Sequence, residues 1–247
     1  MRNAVKTVVF LVVLGGLFMG IGLLLGGTTG LTIGLALGLA FVGGSYWFSD
    51  TLAIKAARAQ PVARDQLPQV YEIVEELTQR SGMPMPRIYV SPEAQPNAFA
   101  TGRNPNHASV AFTAGILRLM SDNELEGVIA HELAHVKRGD NGVSCIGIAL
   151  GTLFGGERTL RRCVGENREY RADVVGASVV RYPRGLLGAL CTMMDANSPH
   201  EGSIFAAPRF GGIRWVWTDP SVGHREDPVY PGDLDATWVR AAALSEW

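Results

Sequence analysis

Charged residues are absent from a long N-terminal part of this chain. None occurs from Thr7 to Ser49. A helix needs about 20 apolar residues to cross a bilayer, so this stretch is long enough for two spans. We place them at about residues 7–25 and 31–49, joined by a turn at the glycine-rich segment 26–30. The pattern predicts a two-helix transmembrane hairpin, whereas a signal peptide, the alternative, would have one apolar core of about 7–15 residues.

Basic residues flank both ends of this apolar stretch. Arg2 and Lys6 precede it, and Lys55, Arg58 and Arg64 follow it. Cytoplasmic segments next to membrane spans carry an excess of lysine and arginine. We therefore expect a multi-pass protein of the cell (inner) membrane, in contact with the lipid bilayer. Both termini and the whole chain after the hairpin are expected on the cytoplasmic side.

The chain after the apolar stretch alternates between helical and strand-like patterns. Apolar residues at helical spacing predict a helix from an N-cap at Asp65 to Gly82. Ser121 and Glu124 form a capping-box pattern that begins a second helix, ending near residue 137. Strands are predicted at residues 87–90, 97–101 and 109–113, and further helices at residues 166–180 and 184–194.

These elements predict an α+β fold that is predominantly helical. The hairpin occupies residues 1–52, and a second domain with a small β-sheet follows at residues 53–197. The apolar segment 143–154 is too short for an independent span and is predicted to be a buried or membrane-touching helix. Residues 198–247 form an extension whose weak periodicity predicts no particular structure.

Composition excludes several kinds of protein. The 22 Lys+Arg and 23 Asp+Glu residues leave a net charge of −1, so no polybasic surface and no nucleic-acid partner are expected. Cys145, Cys163 and Cys191 are far apart and form no CxxC pair, which argues against a disulfide framework and a cysteine zinc site. We expect them to be small buried residues in a reducing cytosol.

A metal-ligand motif lies on the helix that Ser121 begins. His131 and His135 are four residues apart, so both imidazoles lie on one helix face and could bind one ion beside Glu132. Imidazole ligands in a partly open tetrahedral site favour Zn²⁺. Unrelated histidines on an exposed face are the alternative. The apolar neighbours Leu133 and Ala134 predict a buried helix instead, where unpaired polar groups would be costly.

A catalytic zinc ion takes a third protein ligand, for which Glu169 is the first candidate. Glu169 and Asp173 are four residues apart on one predicted helix, so their carboxylates share a face. Glu169 could reach the metal while Asp173 accepts the N–H of a ligating histidine. Glu166 is the alternative ligand. An ion pair of Glu169 with Arg168 or Arg171 on a solvated face is the alternative without a metal.

With these motifs, the chain resembles the HtpX-type membrane zinc endopeptidases, which are Glu-ligated zincins. The matching segments are the N-terminal hairpin, residues 97–105, His107, the HELAH sequence at 131–135 with the Gly139-Asp140 pair after it, and residues 168–173. The resemblance implies that residues 53–197 form a zincin-like metalloprotease domain. It further implies that His131, His135 and Glu169 bind one Zn²⁺ and that Glu132 is the catalytic base. It also implies that Asn97, Ala98 and Phe99 help to bind the substrate.

The expected function is hydrolysis of peptide bonds, in which Glu132 takes a proton from the attacking water. An extended polypeptide would add a strand along residues 97–101. Candidates for stabilising the transition state are His107, Arg168 and Tyr170. The resemblance implies membrane or misfolded proteins as substrates and a role in membrane protein quality control. The alternatives are a catalytically silent adaptor that binds unfolded polypeptide through the same strand, and a non-proteolytic zinc hydrolase.

Overall fold

The computed structural model describes residues 2–139, 167–196 and 237–246. The predicted helix at 143–154, the alternative ligand Glu166, Cys145 and Cys163 lie outside the described residues. The described helices are α1 (Arg2–Ala56), α2 (Pro68–Ser81), α3 (Ala114–Leu119), α4 (Asp122–Arg138), α5 (Arg168–Ala177), α6 (Arg184–Ala196) and α7 (Thr237–Ser245). The strands are β1 (Gln60–Pro61), β2 (Arg87–Ser91), β3 (Ala98–Thr101) and β4 (Ser109–Thr113). This part of the chain is mostly helical with one small sheet, as predicted.

Helix α1 carries the apolar N-terminal stretch. Its stretch Val12–Phe41 is long and apolar enough to cross a membrane. The backbone leaves the helical region at Gly26 and at Gly27, where φ is 59° and ψ is −141°. Residues with a side chain rarely adopt such a positive φ, so glycine suits this break. The described residues therefore contain one candidate membrane helix, broken at the segment where the sequence predicts a turn.

The two helical parts of α1, before and after this break, contact each other. The ring centroids of Phe18 and Phe41 lie 5.5 Å apart. A Cβ atom placed on Gly22 would overlap the carbonyl group of Gly30, so the backbones are in direct contact there. Small residues permit such close approach of two helices.

The sheet has the strand order β1-β2-β4-β3. β2 and β4 are parallel, whereas β1 pairs with β2 and β3 pairs with β4 in antiparallel fashion. In the β3–β4 pair, Phe99 lies opposite Ala111 and Ala100 lies opposite Val110. β3 is therefore an edge strand among the described strands.

Both faces of this sheet are covered. Successive side chains of a strand point to opposite faces, and Val110 and Phe112 of β4 join the large core with α2, α4 and α6. Ala111 lies on the other face with Phe99 and with Ile54 from the end of α1. The end of the apolar helix thus packs directly on the sheet, which explains why every residue of β3 and β4 is buried.

Several element boundaries differ from the prediction. Helix α2 begins at Pro68 with Leu67 as N-cap, so the predicted N-cap at Asp65 is wrong. Proline is favoured in the first turn because its missing N–H would have no partner there and its φ is already helical. Helix α5 begins at Arg168, because Asn167 before it has a left-handed φ of 60°. Cys191, predicted to be buried, is exposed because it lies off the apolar stripe of α6.

Candidate metal centre

Helix α4 provides the first half of the site. The backbone N–H of Ser121 donates to Oε2 of Glu124 over 2.9 Å, which completes the predicted capping box. The helix ends at Gly139, whose φ is 69°. From Val128 to Val136 every residue is buried, including His131, Glu132 and His135. The HExxH motif thus lies inside the domain, as the apolar neighbours predicted.

Three ligand atoms converge between α4 and α5. Nε2 of His131 lies 3.1 Å from Nε2 of His135 and 3.0 Å from Oε2 of Glu169. Nε2 of His135 lies 3.1 Å from the same Glu169 oxygen. Ligands bonded at about 2.0–2.1 Å to a tetrahedral zinc ion are about 3.4 Å apart. Nε2 of His131, Nε2 of His135 and Oε2 of Glu169 form what we call the donor triangle. Its sides are within a few tenths of an ångström of the length that one such ion needs. Two nitrogens and one oxygen are a ligand set typical of zinc.

A glycine allows α5 to reach this position. Glu169, Asp173 and Gly176 are spaced at four and three residues, so they share one face of α5. A Cβ atom on Gly176 would lie 3.0 Å from the backbone nitrogen of His131. Such a distance is too short for an ordinary side-chain contact, so glycine permits the close approach of α5 to α4. This approach brings both carboxylates to the histidines.

Asp173 orients His131. Its Oδ1 lies 2.7 Å from Nδ1 of His131. An ionised carboxylate only accepts hydrogen bonds, so Nδ1 carries the proton and donates it. In the neutral ring Nε2 then has its lone pair free to bind a metal. The structure thus brings together His131, His135, Glu169 and Asp173.

Two buried arginines balance the two carboxylates of α5. Nε of Arg168 lies 3.1 Å from Oε1 of Glu169, the oxygen that does not face the histidines. Arg240 of α7 binds Asp173 through Nε to Oδ2 at 2.7 Å and through Nη2 to Oδ1 at 2.8 Å. Each of these two carboxylates therefore has a guanidinium group within ion-pairing distance, as buried charges require.

These contacts shift the pKa values of the site. Burial alone would lower the pKa of His131, but the Asp173 carboxylate and a hydrogen bond to Glu169 outweigh it and raise the pKa to about 9. Burial alone would raise the pKa of Glu169, yet His135 and Arg168 hold that pKa well below its usual range. The pKa of Asp173 is likewise lowered, because Arg240 and His131 outweigh the effect of burial.

The remaining predicted residues lie in different surroundings. Tyr170 is half-buried on α5 next to Glu169. His107 is exposed, and its Nδ1 lies 3.0 Å from Oδ1 of Asn104. Within the described residues His107 contacts none of the three donors, so its predicted role in the transition state has no support from geometry.

The predicted substrate strand is present as β3, but its side chains are buried. Asn97 is fully buried, and its Oδ1 accepts a hydrogen bond from the backbone N–H of Ala98 over 3.0 Å. Phe99 is 2% exposed and packs against the end of α1. These side chains therefore support the sheet.

Sequence reasoning did not find Arg240. The residue is fully buried on a helix within the C-terminal extension, for which no structure was predicted. A local signal exists, because the strong helix formers of residues 241–244 follow Arg240 and the apolar residues Ala241 and Leu244 among them have helical spacing. Its pairing with Asp173 has no local signal at all.

Comparison with known proteins gives consistent matches. The profile described as Peptidase family M48 matches residues 64–157, which contain α2 to α4. A protein named "Protease HtpX homolog" from Persephonella marina is 38% identical over 224 residues, covering 76% of this chain and 78% of the relative. A protein of the same name from Syntrophobacter fumaroxidans is 38% identical, covering 81% of this chain and 86% of the relative. Another from Salinibacter ruber is 33% identical, covering 87% of this chain and 91% of the relative. The chain therefore belongs to the HtpX-type proteases of peptidase family M48.

Proposed function

We propose that this protease is a zinc-dependent endopeptidase held at the membrane by its N-terminal helix hairpin. The observation that carries the proposal is the convergence of His131, His135 and Glu169, whose ligand atoms lie 3.0–3.1 Å apart in a buried triangle. A zinc ion bound there would act as a Lewis acid and would lower the pKa of a coordinated water from about 15.7 toward about 7. One ion per chain is expected, because the three donors form one set.

Glu132 is the proposed general base. It follows His131 directly in α4, which places its carboxylate about 100° around the helix axis from the two imidazoles. Its side chain is buried, being 1% exposed, so it lies inside the domain and not on the surface. In the proposed reaction Glu132 takes a proton from the attacking water and passes it to the amine that leaves.

Arg168 and Tyr170 remain candidates for stabilising the transition state, because both flank Glu169 in α5. Arg168 is 7% exposed and already binds Glu169, so its primary role in the proposal is to hold that carboxylate toward the histidines. His107, exposed and hydrogen-bonded to Asn104, is the weakest of the three candidates.

The proposed substrate is an extended polypeptide that pairs with β3. Support comes from the packing of β3 against α4, which carries the HExxH motif. Main-chain hydrogen bonds to an edge strand do not depend on side-chain identity. This form of binding would therefore accept many sequences, as quality control of misfolded membrane proteins requires.

The proposed membrane anchor is supported by contacts within α1 and between α1 and the sheet. The two helical parts of α1 are in backbone contact at Gly22 and Gly30, as a hairpin requires. Asp50, at the end of the apolar stretch, binds Arg87 of β2 over 3.2 Å. Cζ of Arg103 lies 4.6 Å from the ring centre of Trp47, a cation–π contact between the helix and the loop after β3. With both termini cytoplasmic, the sheet and the donor triangle would lie close to the cytoplasmic membrane surface.

The test compares the wild type with Glu132→Gln in detergent-purified full-length protein. The wild type should cleave casein, and a zinc chelator should stop the cleavage. Glu132→Gln should retain zinc and lose cleavage by about 10²–10⁴-fold, the usual contribution of a general base. Glu72→Gln, a change on the exposed face of α2, is the matched control and should behave like the wild type.

The alternatives predict other outcomes of the same assay. A silent adaptor would bind casein without cleaving it. A non-proteolytic hydrolase would bind zinc and cleave a small ester but not casein. Persistent cleavage by Glu132→Gln would show that another group takes the proton.

A further inference from the structure

The largest fully buried side chain in the described residues is that of an arginine. Arg240 on α7 has no exposed surface. Arginine is almost never fully buried unless it is paired. Two of its hydrogen bonds go to Asp173, which in turn contacts His131. A residue near the end of the chain is therefore connected to the donor triangle through one carboxylate.

The contact between Arg240 and Asp173 is bidentate. Nε donates to Oδ2 over 2.7 Å and Nη2 donates to Oδ1 over 2.8 Å. Two parallel hydrogen bonds between a planar guanidinium and a planar carboxylate fix the orientation as well as the position of the carboxylate. Oδ1 also accepts the hydrogen bond from Nδ1 of His131 over 2.7 Å. Any rotation of the carboxylate would therefore weaken its bond to the histidine ring.

From this geometry we infer that Arg240 is a positioning residue for the metal centre. It holds Asp173 in the one orientation that fixes the His131 ring and directs Nε2 toward His135 and Glu169. The inference rests on the proposed zinc function and extends it to a residue outside both recognised motifs. It implies that α7 completes the site, although the helix supplies none of the three donors.

A purely structural role for Arg240 is the competing explanation. Helix α7 also buries Thr237, Ala241 and Leu244, which are 4%, 9% and 4% exposed, and the last two belong to the large core. If Arg240 only attached α7, the loss of any of these anchors would affect the metal centre to a similar degree. Leu244→Ala is therefore the matched control, since it weakens the packing of α7 without touching Asp173.

The first measurement is zinc affinity at fixed pH, determined by competition with a chelator on the full-length protein. Arg240→Met should weaken zinc binding by at least about tenfold, the lower limit observed when a partner of a metal ligand is lost. Leu244→Ala should weaken it less than about threefold, because its effect passes only through the packing of α7. The zinc affinity of Arg240→Lys should lie between those of the wild type and Arg240→Met, because lysine restores the charge but not the paired hydrogen bonds.

The second measurement needs no metal. In protein labelled with ¹⁵N-histidine, the Nδ1 proton of His131 should give a downfield signal in the wild type and in Leu244→Ala. In Arg240→Met this signal should shift or broaden, because Oδ1 of Asp173 is no longer fixed. A third variant that combines Arg240→Met with Asp173→Asn should bind zinc no worse than Asp173→Asn alone.

The outcomes separate this inference from the proposed function. Equal losses in Arg240→Met and Leu244→Ala, or an unchanged His131 signal in Arg240→Met, would overturn the positioning role. A wild type that binds no zinc would refute the proposed function, while the histidine signal would still decide the role of Arg240. If Arg240→Met does not fold, Arg240→Lys gives the same comparison with a smaller expected effect.

Discussion

Oδ1 of Asp173 lies 2.7 Å from Nδ1 of His131, although the two residues belong to different helices. This contact joins α5 to α4 at the first histidine of the HExxH motif. It also determines which ring nitrogen carries the proton, and so which nitrogen can bind a metal. Orientation of the His131 ring and closure of the donor triangle therefore depend on the same helix crossing.

Loss of the third donor should abolish tight zinc binding. Glu169→Ala leaves only the two imidazoles, and we expect zinc affinity to fall by more than about 100-fold, beyond the usual effect of losing an indirect partner. Bound zinc per chain, measured by metal analysis after equilibration with a chelator, checks this. Glu72→Ala on the surface of α2 is the control. Undiminished zinc in Glu169→Ala would assign the third ligand to another residue, with Glu166 as the first alternative.

The metal-free protein should lose stability as the pH rises. The pKa of His131 is about 9 in the folded protein, above the ordinary value near 6.5 that applies to the unfolded chain. A raised pKa stabilises the folded state fully below about pH 6.5, and this contribution is lost as the pH rises through about 9. The melting temperature of the chelator-treated protein should therefore fall over this range.

Two controls identify the group responsible for this pH dependence. Asp173→Asn should reduce the fall of the melting temperature with pH, because the carboxylate that raises the pKa of His131 is gone. Saturating zinc should also reduce this pH dependence, because the metal replaces the proton on the His131 ring. A melting temperature of the metal-free protein that is constant over this range would contradict the prediction.

A single methyl group at the helix crossing should disturb both stability and zinc binding. In Gly176→Ala the new Cβ would lie 3.0 Å from the backbone nitrogen of His131 and 3.1 Å from the carbonyl carbon of Ala130. Because backbone atoms cannot move aside alone, α5 must shift, and such overpacking costs about 1–3 kcal/mol in the free energy of unfolding. Thermal denaturation measures the loss of stability, and chelator competition measures the loss of zinc affinity.

The matched control for this change is Gly188→Ala on α6. There the nearest atoms, at 3.2 Å, belong to the flexible side chain of Glu124. Both changes gain similar helix propensity, about 1 kcal/mol, so their difference reports the packing. Equal stability and equal zinc affinity of the two variants would show that the close approach at Gly176 is not required.

The hairpin proposal predicts that the break in α1 faces away from the cytoplasm. We expect a single cysteine at Thr28, introduced after replacing Cys145, Cys163 and Cys191 by serine, to react with a membrane-impermeant maleimide added to spheroplasts. A single cysteine at Asp65 should react only after the membrane is permeabilised. The reverse pattern, or labelling of both sites from outside, would refute the proposed orientation.

The sequence predicted the features that depend on local backbone geometry. The 3.6-residue helical repeat places His131 and His135 on one face of α4, and it does the same for Glu169 and Asp173 on α5. The capping box at Ser121 likewise involves residues only three positions apart. Each of these features is fixed within one element, so a pattern read along the chain is sufficient to predict it.

Contacts between distant elements were decided by the tertiary structure alone. The burial of Phe99 depends on the end of α1 reaching the sheet, and the exposure of Cys191 depends on which face of α6 meets the core. The pairing of Arg240 with Asp173 joins residues 67 positions apart. Such pairs form because packing brings whole helices together, and neither residue carries a local signal that names the other. The sequence by itself determined which of these residues share a helix face, while packing decided how the faces meet and paired the buried Arg240 with Asp173.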